Sequence, residues 1–419
     1  MTNHKLLTKE YLIPFILVTI MFFMWGLANN MTDTLLAAFK KIMSMTDFQT
    51  SWIQIAFYGS YFCLALPAAL LIRKFQYKTG ILLGLGMFIL GSLLFYPASQ
   101  TMLYGHFLVS LFILAGGLSI LETTANPYIL VMGSEETAVR RLNLAQSFNP
   151  IGSITGVVLS KLFILSSLNK ASEVERASLS AEKLNIMQEQ ELTAVMGPYV
   201  GVAFLLLVIW LIIAARKMPK GSDNDDIAPL GESFKRLLAN KNYIFGVIAQ
   251  FFYVGAQIGV WSFTIRYVMQ ELGTDESDSS NYYLAALVLF TLSRFVFTGL
   301  LSKFSASKLL GSSALVAILC LIIVIVANGI VGVVALILIS GCMSLMFPTI
   351  FGLASEGTGN DHKLAGSGLI MAILGGAVLT ALQGQVSDLT GDIKMSFMIP
   401  LVCFVVIAFY GFNQKLHSK

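Results

Sequence analysis

The chain has 419 residues, of which 56% are hydrophobic and only 12% are charged. An ordinary soluble domain carries about 25% charged residues, so a soluble fold of this composition would need an improbably large dry interior. The net charge of +4 comes from basic residues spread over short loops, which excludes a basic nucleic-acid-binding surface. Composition therefore predicts a protein that lies in the lipid bilayer.

Twelve apolar segments are long enough to cross the hydrocarbon core as helices, which takes about 20 residues each. We number them spans 1 to 12, with predicted limits 11–38, 49–72, 79–98, 103–131, 141–167, 196–215, 242–270, 281–302, 308–327, 330–354, 364–387 and 393–412. Most of the 27 Lys and Arg residues then fall in loops on the side of the two termini. Because cytoplasmic loops are rich in these residues, both termini are predicted to be cytoplasmic.

Two polar segments interrupt the series of spans. Residues 168–195 contain Ser172 and Glu175 at the spacing of a capping box, so we expect an external helix there. Residues 216–241 separate span 6 from span 7. This second segment is predicted to be a cytoplasmic linker between two six-span halves.

The two predicted halves, 1–215 and 242–419, show a faint internal repeat. Span 2 ends in LLIRKFQYKTG (70–80) and span 8 ends in GLLSKFSASKL (299–309), with the Lys-Phe pair at matching positions. Two six-span halves with basic loops at equivalent places indicate the parallel repeat of the major facilitator fold. The expected fold class is therefore an all-α membrane protein with twelve transmembrane helices around a central cavity.

Four charged residues lie well inside predicted spans, namely Asp33, Glu122, Arg266 and Arg294. A charge at the centre of a membrane helix costs at least about 2.5–3.5 kcal/mol, so such residues face a cavity or a partner. An ion pair that locks two helices is the structural alternative. Arg266 could also extend along its helix to the membrane surface.

Amide and aromatic side chains recur at helical spacing on the same faces as the acidic residues. The candidate substrate-binding residues are Asn29, Asn30, Gln54, Tyr58, Asn126, Asn143, Gln146, Asn149, Gln250, Tyr253, Gln257 and Trp261. Each one could instead form an interhelical hydrogen bond, worth about 0.6 kcal/mol on average. Together they could line a cavity with amides for hydroxyl groups and aromatic faces for C–H groups, which suits a monosaccharide.

Two prolines stand inside spans that carry candidate site residues. A mid-helix proline has no N–H for the carbonyl four residues earlier. Pro127 therefore frees the carbonyl of Thr123, and Pro150 frees that of Gln146. Broken backbone of this kind is tolerated in a membrane where it is buried in protein or lines a watery cavity. A simple kink for packing is the alternative.

Two pairs of glycines, Gly80/Gly84 and Gly152/Gly156, have the small-xxx-small spacing of close helix contacts. No strand–turn–helix context surrounds them, so a nucleotide-binding loop is not indicated. They predict that the third and fifth spans pack closely against neighbouring helices.

Proton transfer is the chemistry that two acids within the membrane suggest. Protonation removes the cost of a hidden charge, so Asp33 or Glu122 is predicted to carry a proton. We find no nucleophile–base pair, and no Cys or His residues have metal-site spacing. We therefore expect no catalytic residue, no metal and no cofactor. A membrane enzyme or a sensor that binds sugar without moving it is the alternative from another class.

Five motifs resemble the fucose/galactose/glucose:proton symporter family of the major facilitator superfamily: WGLANNMTDTLL (25–36), IQIAFYGSYF (53–62), LETTANPYI (121–129), RLNLAQSFNPIGSI (141–154) and FFYVGAQIGVWSFTIRY (251–267). The resemblance is strongest to its bacterial L-fucose members. It implies proton-coupled uptake by alternating access in the bacterial inner membrane. L-fucose is the expected sugar, with galactose, glucose or N-acetylglucosamine as alternatives.

The same resemblance implies roles for four residues. Asp33 and Glu122 match the family's proton-coupling acids, and Gln146 and Asn149 match residues near the sugar. We expect a monomer whose partners are the sugar, the proton and the lipid bilayer.

Overall fold

A computed structural model of the chain describes residues 5–42, 47–164, 169, 175–176, 178–219 and 229–414. Within its helices, the side chains at 32–41, 47–51, 54, 181, 194–195 and 277 lie outside the described residues. The described part of the chain is helical and contains no β-strand. Twelve of its helical segments are long and apolar enough to cross a membrane, which confirms the predicted number of spans.

Spans 1 to 6 follow the predicted order. They are formed by Leu12–Ile42, Asp47–Lys74, Tyr77–Thr101, Tyr104–Leu130, then Ala138–Gln146 with Phe148–Leu159 and a π-helical end at Ser160–Ile164, and finally Ala181–Ala215. The last of these helices begins at a cap in which the Ser180 side chain accepts a hydrogen bond from the N–H of Lys183. It runs without a break into span 6, so residues 181–195 are the beginning of that span and not a separate external helix. The predicted cap at Ser172 lies outside the described residues.

Spans 7 to 12 follow a short linker helix, Leu230–Ala239. They are formed by Lys241–Leu272, Glu276–Leu300, Ala306–Val326, Ile330–Met343 with Met346–Ser355, His362–Met371 with Gly375–Thr390, and Ile393–Ser396 with Met398–Asn413. Spans 10, 11 and 12 are thus interrupted, as is span 5. Ala372–Leu374 forms a 3-10 turn inside span 11. Further 3-10 turns stand at Lys9–Tyr11, Glu135–Thr137 and Gly359–Asp361.

The chain packs into two compact units. The first unit comprises Leu12–Ala125 and Phe148–Lys220. The second unit comprises Met1–Tyr11, Asn126–Ser147 and Gly221–Lys419. Each contains its own set of packed spans.

Glycines bring the spans of the first unit into close contact. A Cβ atom at Gly152 would lie 1.9 Å from the carbonyl oxygen of Phe23 in span 1, and one at Gly84 would lie 2.9 Å from the carbonyl oxygen of Gly117 in span 4. Only a residue without a side chain lets backbones approach so closely. The close helix contacts predicted from the glycine spacing are therefore confirmed.

Arg141 holds together the end of span 4 and the start of span 5 in the second unit. The side chain is completely buried. Its Nε donates to the carbonyl of Ile129 at 2.7 Å, and its Nη1 donates to the carbonyl of Leu6 at 3.1 Å and to the hydroxyl of Thr137 at 2.9 Å. A guanidinium at this place bonds carbonyls at the C-terminal end of a helix and opposes the negative end of its dipole.

We expect Arg141→Gln to destabilise the protein by about 2–4 kcal/mol, because several charge-assisted hydrogen bonds are lost and buried carbonyls are left unpaired. Arg140→Gln is the matched control, since it removes the same charge from a partly exposed neighbour. That control should cost no more than about 0.5 kcal/mol. Thermal unfolding of the detergent-solubilised proteins measures both, and equal effects would contradict the assignment.

The linker helix Leu230–Ala239 is fixed to the loop between spans 10 and 11. Arg236 donates from Nε to Oδ2 of Asp361 at 2.7 Å and from Nη2 to Oδ1 at 3.0 Å. This two-pronged pairing has the favoured geometry of a guanidinium with a carboxylate, and it raises the pKa of Arg236. The Asp361 side chain is buried, which favours a persistent contact over a transient surface pair.

Candidate transport site

Glu122 is a buried acidic residue of the first unit. It lies in span 4 and is only 1% exposed. Its Oε1 accepts a hydrogen bond from the hydroxyl of Tyr61 in span 2 at 3.4 Å, whereas its Oε2 is buried with no hydrogen-bond partner among the described residues. No ion pair reaches Glu122 in the part of the chain that the structure describes. A carboxylate with so little support is costly, and a protonated carboxyl group is much less so.

Three predicted residues of spans 1 and 2 accompany Glu122 in the first unit. The backbone of Asp33 and of Gln54 is helical, but both side chains lie outside the described residues. Tyr58 is half-buried, and its ring meets that of Phe57 edge-on at a centroid distance of 5.5 Å. The expected roles of Asp33 and Gln54 therefore stay predictions.

The amides of spans 1 and 5 in the first unit bond mainly to backbone. Asn149 donates to the carbonyl of Phe22 at 3.2 Å, which ties span 5 to span 1. Asn30 donates to the carbonyl of Gly26 one turn earlier at 3.4 Å. Asn29 keeps a buried Oδ1 without a partner among the described atoms. Asn149 thus makes the interhelical bond that was the alternative to a binding role, and its position near a sugar stays a prediction.

Two predicted site residues meet in the second unit. Gln146 donates from Nε2 to Oδ1 of Asn126 at 2.8 Å, and both side chains are buried. Asn143, one turn earlier on span 5, donates to the hydroxyl of Thr349 in span 10 at 3.1 Å. Residues 126–147 therefore pack against span 10 within this unit.

Two aromatic residues of span 7 also bond to span 10. Tyr253 is completely buried and donates its hydroxyl to the carbonyl of Met343 at 3.1 Å. Trp261 donates its indole N–H to the hydroxyl of Ser340 at 3.2 Å. These contacts use the one donor group of each aromatic side chain to join span 7 to span 10.

Several amide atoms of the second unit remain unpartnered although they are buried. Both side-chain atoms of Gln250, the Nδ2 of Asn126 and the Oδ1 of Asn143 have no hydrogen-bond partner among the described residues. Gln257 is half-buried on the same span as Gln250. An unsatisfied buried polar group costs about 1–3 kcal/mol, which a hydroxyl-rich ligand would recover.

The two breaks in spans 5 and 10 coincide with prolines. Span 5 is interrupted after Gln146, four residues before Pro150, and span 10 is interrupted at Ser344, four residues before Pro348. Arg294 of span 8 donates from Nη1 to the carbonyl of Gln146 at 3.0 Å and from Nε to the carbonyl of Ser344 at 2.5 Å. The carbonyl that Pro150 was predicted to free is therefore taken by a guanidinium. Span 4, by contrast, continues as helix through Pro127.

Three residues that contact the predicted site were not among the candidate binding residues. The helical spacing places Tyr61 on the same stripe as Gln54 and Tyr58, but it was not assigned a role. Thr349 stands alone in the apolar stretch FPTIF, and Arg294 had no recognisable partner in sequence. Arg266 is exposed, with its guanidinium 4.2 Å from the centroid of the Phe263 ring, as expected for an arginine that reaches the surface.

Twelve apolar spans, some of them broken and carrying buried amides, are typical of a membrane transporter. The sequence profile of the Major Facilitator Superfamily matches residues 15–381. The chain belongs to the Major Facilitator Superfamily, which confirms the predicted fold class.

Individual relatives extend this result over the whole chain. The L-fucose-proton symporter of Haemophilus influenzae is 42% identical, over 98% of this chain and 98% of that protein. The glucose/galactose transporter of Brucella abortus is 33% identical, over 98% of this chain and 97% of that protein. The solved structure of the Escherichia coli fucose:proton symporter FucP covers 97% of this chain and 99% of that one, with 39% identity and a TM-score of 0.91. The resemblance predicted from the five motifs is confirmed.

Proposed function

We propose that this protein takes up L-fucose together with protons across a bacterial inner membrane by alternating access. The observation that carries the proposal is Glu122, a fully buried acid with one weak hydrogen bond from Tyr61 and no cationic partner among the described residues. Such a group is stable in a membrane when it holds a proton. If Glu122 takes up its proton on one side of the membrane and releases it on the other, sugar transport is coupled to the proton gradient.

L-fucose is proposed over the other sugars because of the relatives. The protein named as an L-fucose-proton symporter is 42% identical to this chain, whereas the glucose/galactose transporter is 33% identical over the same share. Galactose, glucose and N-acetylglucosamine remain the alternative substrates. A sensor or a membrane enzyme has no observation in its favour.

The unpartnered amides of the second unit are proposed to bind the sugar. Asn126, Asn143 and Gln250 supply buried donors and acceptors that have no partner among the described residues. The ring faces of Tyr253 and Trp261 supply apolar contact for the C–H groups of a pyranose. Asn29, Asn30, Gln54, Tyr58, Gln146, Asn149 and Gln257 keep their predicted role in binding as part of this proposal.

The proposed architecture is a monomer of two six-span halves, 1–215 and 242–419, joined by a cytoplasmic linker at 216–241. A repeated contact supports it. A Cβ at Gly152 of span 5 would lie 1.9 Å from the carbonyl oxygen of Phe23 in span 1, and a Cβ at Gly375 of span 11 would lie 2.0 Å from that of Phe251 in span 7. In each half, the fifth span therefore meets the first through a glycine. The distribution of Lys and Arg supports cytoplasmic termini.

Uptake into proteoliposomes tests the function. With an acidic exterior, we expect labelled L-fucose to accumulate above its external concentration, by up to about tenfold per pH unit if one proton accompanies each sugar. A protonophore should abolish the accumulation, and protein-free liposomes are the control. Uptake that ignores the gradient would contradict symport. Accumulation of labelled galactose, glucose or N-acetylglucosamine, with none of labelled L-fucose, would contradict the proposed substrate.

A further inference from the structure

Arg294 occupies an unusual position in the second unit. Its side chain is 4% exposed in the last third of span 8, and no carboxylate pairs with it among the described residues. Its guanidinium carbon lies 4.6 Å from the centroid of the Phe290 ring. A buried charge must be compensated, and here the compensation comes from backbone carbonyls and an aromatic face.

The two carbonyls that Arg294 contacts are those that prolines have freed. Pro150 cannot donate to Gln146, and Pro348 cannot donate to Ser344, because proline has no N–H. Each carbonyl stands at the C-terminal end of a half-helix, where the helix dipole places negative partial charge. The guanidinium therefore satisfies two orphaned acceptors and two dipole ends at once.

We propose that Arg294 is a positioning residue for transport, which joins the broken ends of spans 5 and 10 and must release span 5 when the protein opens towards the cytoplasm. The proposal rests on the proposed alternating access and on the proposed cytoplasmic termini. Span 10 belongs to the same half as Arg294, so the bond to Ser344 is internal to that half. Gln146 belongs to the first half, so the bond to its carbonyl joins the two halves.

Neighbouring contacts of the same kind support the proposal. Asn143 donates to the hydroxyl of Thr349 at 3.1 Å, and the hydroxyl of Ser147 lies 3.4 Å from that of Thr298, one turn after Arg294. All of these contacts join residues 126–147 to spans 8 and 10. The loop between spans 4 and 5 lies within 126–147 and is cytoplasmic in the proposed orientation. The contacts therefore close the cytoplasmic side, and the bond to the Gln146 carbonyl is the charged member of the set.

The geometry requires an arginine. The rigid guanidinium fork directs separate N–H groups at two carbonyls, whereas the ammonium of lysine is a point charge on a flexible stem. Arg294→Lys keeps the charge but loses the fork.

Removing a buried charge-assisted hydrogen bond changes an equilibrium by about tenfold or more. We expect Arg294→Lys to slow the exchange of labelled sugar across proteoliposomes by about that factor, and Arg266→Lys, the control, to leave exchange within about twofold.

A double-mutant cycle separates this role from general packing. Pro150→Ala restores an N–H that reaches the Gln146 carbonyl. The decrease in melting temperature caused by Arg294→Lys should therefore be smaller in the Pro150→Ala background. Pro127→Ala restores an N–H to the carbonyl of Thr123, which Arg294 does not contact in the structure. In the Pro127→Ala background, the decreases in melting temperature caused by the two substitutions should add. Melting temperatures of the sugar-free proteins measure both cycles.

Each outcome decides the proposal. Wild-type exchange by Arg294→Lys, or additive losses with Pro150→Ala, would overturn it. If Arg294→Lys alone fails to accumulate in the membrane, recovery of its level by Pro150→Ala and not by Pro127→Ala would support the proposal, and no recovery would overturn it. The melting-temperature cycle uses no sugar, so a wrong substrate assignment would leave its result unaffected.

Discussion

Replacing Glu122 by glutamine is expected to abolish gradient-driven accumulation of the sugar while exchange down a concentration difference continues. Glutamine has the shape of the protonated acid and can still accept from the Tyr61 hydroxyl, so the site keeps its packing. Glutamine cannot release a proton, so the proton gradient no longer drives accumulation of the sugar. The ratio of internal to external sugar should fall to about 1, from the value of up to about tenfold per pH unit that one proton would support.

The control for this prediction is Glu276→Gln. Glu276 is an exposed acid in the first turn of span 8 and has no contact with the candidate site. Its replacement should leave accumulation unchanged. Normal accumulation by Glu122→Gln would exclude this residue as the proton carrier and leave Asp33 as the remaining candidate.

Adding one methyl group at Gly152 is expected to be among the most damaging single changes in the chain. The new Cβ would lie 1.9 Å from the carbonyl oxygen of Phe23, which is backbone and cannot rotate away. Spans 1 and 5 would have to separate along their whole contact. Overpacking of this kind costs about 1–3 kcal/mol and occasionally more, and a backbone clash belongs at the upper end.

Gly201→Ala provides the comparison. Gly201 lies on an exposed face of span 6, and a Cβ there would meet nothing within 4 Å. Alanine favours the helix over glycine by up to about 1 kcal/mol, so this variant should be neutral or slightly stabilising. Thermal unfolding of both detergent-solubilised variants measures the difference. A Gly152→Ala protein as stable as Gly201→Ala would show that the close contact is not required.

The sequence predicted those features that depend on local composition or spacing. Twelve spans follow from apolar length, and the glycine contacts follow from residues four apart on one helix. Burial of Glu122 follows from its apolar surroundings in span 4. Each of these depends on residues close together in the chain, so periodicity and hydropathy carry the information.

The partners of these features could not be predicted, because they lie far apart in sequence. Pro150 shows that a carbonyl is freed, but nothing near it shows that Arg294 would bond to it from another span. Arg141 stands beside Arg140 at the predicted start of span 5, yet the structure buries it completely against the end of span 4. A buried arginine and an exposed one have the same sequence signal when the surrounding residues are mixed. Pairings of this kind require the fold.

The ion pair between Arg236 and Asp361 has a consequence for how freely the two proposed halves can move during the proposed transport cycle. It holds the helix Leu230–Ala239 against the loop between spans 10 and 11, so this part of the linker travels with the second half. Residues 216–229 are then the part of the chain that connects the end of span 6 to this helix. An extended chain covers at most about 3.3–3.6 Å per residue, so this stretch can reach across about 45–50 Å. The length of this stretch therefore does not restrict the proposed motion of the two halves.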